Sequence, residues 1–139
     1  MADKLTRRDI RDSAFKIIDE SLLRDDPVDE LFEMAEDIDE IVVNDDVRQM
    51  VTDVLAKSEE LDAMIAQYSK KRVFARIAKI NVAILRIAFY EILYNDRIPT
   101  NSAVSEAVLL AQNYSYKEDV SFVNGILGAY TRSIEGENK

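Results

Sequence analysis

The stretch IAKINVAILRIAFYEILY, residues 77–94, decides the fold. Ile80, Ala83, Ile84, Ile87, Ala88, Tyr90 and Leu93 recur at the three- and four-residue spacing of a helix, not the alternation of a strand. Apolar residues lie on most sides of it, and a helix of that kind is normally the buried middle of a bundle. Asn95 to Ile98 and then Pro99 end it. Upstream, Asn44 or Asp45 caps a long helix carrying Val47, Val51, Val54, Leu61, Ile65 and Tyr68. Asp26-Pro27 opens a shorter one with Val28, Leu31, Phe32 and Ala35, Pro suiting the first helical position. Thr6 is the expected N-cap of the first helix, with Asp9 in its first turn and Ile10, Ala14, Ile17, Ile18 and Leu22 on its apolar face. Downstream, Thr100 or Ser102 starts a helix with Val104, Ala107, Val108 and Ala111 on one face. The last begins near Asp119 and uses Phe122, Val123, Ile126, Leu127 and Tyr130. No segment alternates with period two, and neither linker nor repeat interrupts the pattern. The prediction is an all-α fold, one compact bundle of about six or seven helices over residues 1–139.

Composition removes whole chemistries. The 139 residues suit a single domain, and they include no His, Cys or Trp. Without Cys there is no disulfide, thiolate nucleophile or zinc finger, and without His no imidazole ligand or proton shuttle. Ser-His and Cys-His catalysis are excluded. Asp45-Asp46 and Glu59-Glu60 are adjacent in sequence and diverge on a helix, which makes them poor acid–base pairs. The Glu-x-x-His of a di-iron site and any Gly-rich phosphate loop are missing, so no metal, cofactor or enzymatic activity is expected. The start, MADKLTRRDI, has no apolar signal core, and no apolar run approaches the ~18 residues of a membrane span. A soluble, cytoplasmic protein is the expectation.

The net charge of −9 first argues against nucleic acid, but it is unevenly spread. Residues 17–66 hold seventeen acids and three bases. Residues 67–90 hold Lys70, Lys71, Arg72, Arg76, Lys79 and Arg86 with no acid, and residues 1–16 are also mildly basic. Phosphate binding follows such local charge rather than the total. The acidic block reads either as solubilising surface or as a docking surface for a basic partner.

Four strings then carry a family likeness: RIAKINVAILRIAFYEI (76–92), SAVSEAVLLAQNY (102–114), SFVNGIL (121–127) and the arginine-rich opening TRRDIRDSA (6–14). With the Ile98-Pro99 pair, and in this order and spacing, the chain resembles the NusB family of transcription antitermination factors over essentially its whole length. The resemblance implies an all-helical protein of two helical halves, about 5–68 and about 73–134. It implies binding of the short single-stranded RNA element boxA together with a small-subunit ribosomal protein, NusE. It further implies a place in the RNA polymerase antitermination complex that supports rRNA operon transcription.

Residue by residue, Lys4, Arg7, Arg8 and Arg11 are the expected RNA-binding cations of the opening. Arg7 and Arg11, four apart, share a helix face from which guanidinium groups fork onto phosphates or stack on bases. Phe122 is either a core residue one turn from Ile126 or a ring on which an unpaired base stacks, with Lys117 placing a cation beside it. Asn124 joins this RNA-binding set. Gly125 costs ~1 kcal/mol relative to Ala inside a helix, which close helix packing would explain. Arg86, in the most apolar helix, either contacts RNA or pairs internally, with Glu106 as its candidate partner.

The chain also departs from the family pattern. Asn81 stands where an acid is usual and Asp19 where Tyr is frequent, both in regions the family turns toward its ribosomal-protein partner. Ser105 replaces the usual Asn, the SYKEDVS loop is one residue short, and the Trp common near Phe74 is absent. Two other readings keep the fold. One is a detached module of the kind found in rRNA cytosine methyltransferases, here without the catalytic Cys; the other is a protein-only acidic adaptor. A homodimer of the free protein also stays open.

Overall fold

The computed structural model describes residues 5–137. Seven α-helices make up these residues: α1 (Arg7–Leu23), α2 (Val28–Glu36), α3 (Asp45–Ala56), α4 (Ser58–Tyr68), α5 (Lys79–Tyr94), α6 (Thr100–Tyr114) and α7 (Lys117–Glu137). A single 3-10 turn, Phe74–Arg76, precedes α5, and no strand occurs among the described residues. The all-α expectation holds.

Three boundaries differ from expectation. The long helix over 45–68 is two helices, because Lys57 turns out of the ladder at φ −101, ψ 13 and Ser58-Glu59-Glu60 opens a new helix with two acids in its first turn. Pro27 lies one position earlier than expected, as the N-cap whose carbonyl accepts from the Glu30 and Leu31 amides at 3.0 and 3.2 Å. The last helix starts at Lys117, two residues before Asp119. There the Tyr116 carbonyl accepts from the Asp119 and Val120 amides, while the Asp119 carboxylate accepts from the Tyr116 amide at 3.3 Å.

The chain divides after Lys57, so α4 belongs to the second unit rather than the first. In the first unit α1 packs on α2 and α3, burying Ala14, Phe15, Ile18, Phe32, Val47 and Val51. Thr6 and Asp9 form a reciprocal capping box at the start of α1, each bond 3.1 Å. The Val42 amide donates to the buried Ser13 hydroxyl at 3.0 Å and pins the turn after α2 onto α1. Arg48 pairs with Glu36 at 2.6 Å and covers the Phe32 ring at 4.9 Å.

In the second unit α5 packs against α4, α6 and α7, and every residue from Asn81 to Phe89 is buried. It is the central helix that its sequence predicts. Phe89 stands edge-on to Tyr130 of α7 at 5.5 Å between centroids, and Tyr130 stands edge-on to Tyr68 of α4 at the same distance. Edge-to-face pairs of this kind add ~0.5–1.5 kcal/mol each beyond the area they bury. The Ser133 hydroxyl donates to the Tyr130 carbonyl at 2.6 Å, so the Tyr68 hydroxyl, 3.2 Å away, donates to Ser133. Tyr68 is thereby fixed at both its ring and its hydroxyl. Among the described residues no helix is long and apolar enough to cross a membrane.

Candidate nucleic-acid interface

The richest site lies in the second unit, where the C-terminal end of α4 and the following turn meet α7. Helical spacing puts Glu118, Ser121, Phe122, Gly125, Ala129 and Arg132 along one side of α7, lining a cavity of about 360 Å³. Tyr68, Lys70, Lys71 and Arg72 form the other wall. The turn is shaped by Ser69, whose hydroxyl donates to the Arg72 carbonyl at 2.6 Å. That bond sets the Arg72 backbone so that its guanidinium carbon sits 4.4 Å above the centroid of the Phe122 ring.

Two glycines shape the α7 wall. A Cβ added at Gly125 would meet no atom within 4 Å, so this residue leaves open space in the cavity. Close helix packing, the expected reason for it, is not what the structure shows. At Gly128 an added Cβ would lie 3.2 Å from Nη1 of Arg132, so the glycine lets that side chain fold back along the helix.

The lining holds four cations, Lys70, Lys71, Arg72 and Arg132, against one carboxylate, Glu118. Three of the cations, Lys70, Lys71 and Arg72, lie in a basic run whose sequence alone does not mark a site. The signal was the acid-free stretch 67–90; what it lacked was the position of the α4–α5 turn beside α7. Arg132 stood alone in the sequence and had no such signal. Forked guanidinium groups, ammonium groups and an aromatic face together can neutralise phosphates and stack a base.

Phe122 is half-buried, its inner side packed in the unit and its face under Arg72. The cation over its ring is thus Arg72; Lys117 is exposed at the first position of α7 and does not line the cavity. Asn124 is exposed on another side of the same helix. Arg86 is only 8% exposed and grips Asp62 of α4 with two parallel bonds of 2.7 Å, Nε to Oδ1 and Nη2 to Oδ2. Its partner is Asp62 and not Glu106, and a guanidinium held this way ties α5 to α4 rather than facing RNA.

Asn81 also differs from its expected place. It is fully buried, donating to Asp119 at 3.0 Å and accepting from the Ser115 hydroxyl at 3.1 Å. An amide spent on both ends of the α6–α7 connection fixes the start of α7.

The remaining expected residues belong to the first unit. Arg7 and Arg8 are exposed in the first turn of α1, whereas Arg11 is 4% exposed. The face shared by Arg7 and Arg11 turns inward within one helical turn, because Ala14, Phe15 and Ile18 continue it into the core. Asp19 is half-buried, and burial, then the neighbouring Glu20 charge, raises its pKa above the ordinary value of 3.8. Lys4 lies outside the described residues.

The NusB family model matches residues 8–132, nearly the whole described chain. A transcription antitermination protein NusB of Acetivibrio thermocellus is 38% identical over 126 residues, covering 88% of this chain and 86% of that protein. A T. maritima NusB structure superposes with a TM-score of 0.79 at 28% identity, over 91% of this chain and 90% of that one. A structure of antitermination factors NusB and NusE in complex with dsRNA has the same fold, with a TM-score of 0.78 at 23% identity over 91% and 96% of the two chains. With a family match of this extent and four signature strings on the elements just described, the chain belongs to the NusB family.

Proposed function

We propose that this chain is a non-enzymatic transcription antitermination factor. In this reading it binds boxA-type single-stranded RNA together with a small-subunit ribosomal protein, NusE, in the cytoplasm, and supports rRNA operon transcription within the RNA polymerase antitermination complex. Membership of the NusB family supports the reading. One observation carries the RNA site: the Phe122 ring, capped by Arg72, beside a cavity lined by Lys70, Lys71 and Arg132.

Magnitudes favour base binding there. An exposed cation–π contact is worth ~0.5–1 kcal/mol, whereas stacking a base on an aromatic ring is worth ~1–3 kcal/mol. Arg72 therefore yields the ring to a base at small cost and keeps its charge for a neighbouring phosphate. Arg7 and Arg8 supply further phosphate contacts from the first unit, and Lys4 extends that set. Arg11 acts by positioning α1, and Lys117 and Asn124, exposed on α7 outside the cavity lining, are peripheral in this reading. Asp19 marks the partner-facing side of α1, and Asn81 affects that partner only through the start of α7.

The test is a fluorescence titration of the full chain with boxA-containing and scrambled RNA, each with and without the ribosomal protein. Weak boxA binding alone, tightened by the partner and weakened by salt, is the expected result. Equal, negligible binding of both RNAs with and without the partner would instead leave a protein-only adaptor. Replacing Arg7 and Arg8 together by Ala weakens RNA binding without unfolding, since both side chains are exposed. Methyl transfer to rRNA reads zero; measurable activity would overturn the non-enzymatic assignment.

A further inference from the structure

The cavity between α4, its following turn and α7 has an apolar body and a cationic mouth. Ile126 is its floor at 3% exposed, and Tyr68, Phe122 and Ala129 are half-buried along its sides. Lys70, Lys71, Arg72 and Arg132 are all exposed, so their charges stand at the opening. The volume of about 360 Å³ lies within the ~300–1,000 Å³ of pockets that enclose a small ligand. A ridge or shallow groove is enough to carry a strand. This cavity has interior room besides, and Gly125 keeps it open, since an added Cβ there would meet no atom within 4 Å.

The charges are placed for one compact ligand. Arg132 folds back so that its Nη1 would lie 3.2 Å from a Cβ at Gly128. Its guanidinium is therefore level with Gly128, which follows Phe122 by ~9 Å of helix. A nucleotide stacked on the ring reaches that far with its own 5′-phosphate chain. From the other wall the consecutive Lys70, Lys71 and Arg72 face the same space. Glu118, the one carboxylate of the lining, is a turn before Phe122 and so at the opposite end from Arg132. That polarity turns phosphates toward Arg132. An RNA strand carries one charge per nucleotide and meets these four cations only with phosphates spread along the rim. A free nucleoside polyphosphate gathers its charges at one end of a single base.

We propose that this cavity also binds a free nucleoside 5′-polyphosphate, whose base stacks on Phe122 and whose phosphates bridge Arg132 and the Lys70–Arg72 turn. The base takes the place of the Arg72 guanidinium, which joins the two lysines on the phosphates. Because the base uses the ring assigned above to RNA, the nucleotide excludes the strand, and RNA occupancy falls as free nucleotide rises. That competition rests on the RNA reading; binding of the nucleotide by itself does not.

The probes are ATP, adenosine and inorganic tripolyphosphate, titrated against the 15N-labelled full chain by calorimetry and amide shifts. The expected result is saturable binding of ATP with the largest shifts at Phe122, Gly125 and Gly128. Adenosine and tripolyphosphate each bind about ten-fold more weakly or worse, since each keeps only half of the contacts. Phe122→Leu brings ATP down to the affinity of tripolyphosphate. Arg132→Gln weakens ATP about five-fold and leaves adenosine as it was. Lys57→Gln, outside the cavity, changes neither. Tripolyphosphate bound as tightly as ATP, ATP affinity untouched by Phe122→Leu, or shifts centred away from the α7 wall would each overturn the proposal. A second arm adds ATP to fluorescein-labelled boxA RNA bound with the ribosomal protein. Anisotropy falls as for one shared site, whereas ATP and RNA bound together would overturn the competition. ATP bound at Phe122 with no boxA binding would sink the RNA reading and leave the nucleotide site standing; boxA binding without ATP binding would do the reverse.

Discussion

At the scale of single residues, the same helical address gives opposite roles, and burial separates them. Phe122 and Ile126 are one turn apart on α7, yet Ile126 is 3% exposed while Phe122 shares its face with Arg72. Phe122→Leu keeps most of the apolar volume and removes the aromatic face. It raises the Kd for boxA RNA about ten-fold, the low-to-middle range of one lost stack, with the melting temperature little changed. Unchanged affinity would place the bases elsewhere. Arg86 was legible as a cation needing an answer, but not the answer itself, because Asp62 is twenty-four residues away and only the α4–α5 packing brings it within 2.7 Å. Asp62→Ala leaves the nearly buried guanidinium without its bidentate acceptor, and denaturant unfolding then reads a loss of about 3 kcal/mol. Asp19 works in the opposite sense. Burial raises its pKa, so the folded state holds the proton to higher pH than the unfolded chain does. Its stabilising contribution is complete below the ordinary value of 3.8 and is lost as pH rises through the folded value. Asp19→Asn removes that slope and gains on the parent chain as pH rises; urea midpoints from pH 3.5 to 7 that stay parallel would contradict this. Asp9 has the reverse dependence, since the Thr6 amide and hydroxyl lower its pKa and its contribution is lost as pH falls.

At the scale of elements, periodicity found every helix except one break, and the reason lies in what periodicity measures. Val47, Val51, Val54, Leu61 and Ile65 are all buried, so the apolar stripe runs past Lys57 even though the backbone does not. A stripe records which side chains face a core, not whether one core or two receive them. Starts fixed by local chemistry were legible: Thr6 and Asn44 cap as expected, the Val47 amide donating to Asn44 Oδ1 at 2.8 Å. The start of α7 was displaced because Asp119 serves from inside the helix, accepting from the Tyr116 amide, and a carboxylate in that role resembles an N-cap in sequence. The candidate site was legible only on α7. Its other wall is the Lys70–Arg72 turn, whose placement depends on the Ser69 bond and on α4 packing against α7. Gly125 ties this element to function. Gly125→Ala gains up to ~1 kcal/mol of helix stability, because nothing lies within 4 Å of the added methyl. The same methyl enters the cavity, so RNA affinity falls while the melting temperature rises. A gain in both would show that the cavity does not receive RNA.

At the scale of the whole molecule, the charge of −9 and RNA binding are compatible because counterion release depends on the cations a strand touches, not on the sum over the chain. The acids concentrate in residues 17–66, and the second unit presents Lys70, Lys71, Arg72 and Arg132 around one cavity. The acidic remainder lowers affinity for arbitrary polyanions, since only a strand that seats on the cavity gains stacking to offset the repulsion. This makes salt a quantitative probe of the site. Single-stranded RNA releases about 0.7 counterion per phosphate neutralised, so four seated cations give a slope of log K against log salt near −3. Adding Arg7 and Arg8 steepens it toward about −4. Each of Lys70→Gln, Lys71→Gln, Arg72→Gln and Arg132→Gln lowers the steepness by about 0.7 if its charge meets a phosphate. Lys57→Gln, on the acidic first unit, leaves the slope unchanged. The measurement is a set of boxA titrations between 50 and 300 mM KCl for the chain and these variants, at about neutral pH where all the cations stay charged. Slopes that respond equally to Lys57 and to the cavity residues would mean that RNA senses only the overall field. Slopes that respond to the cavity residues alone would place the strand against α7, where the ring of Phe122 waits under Arg72.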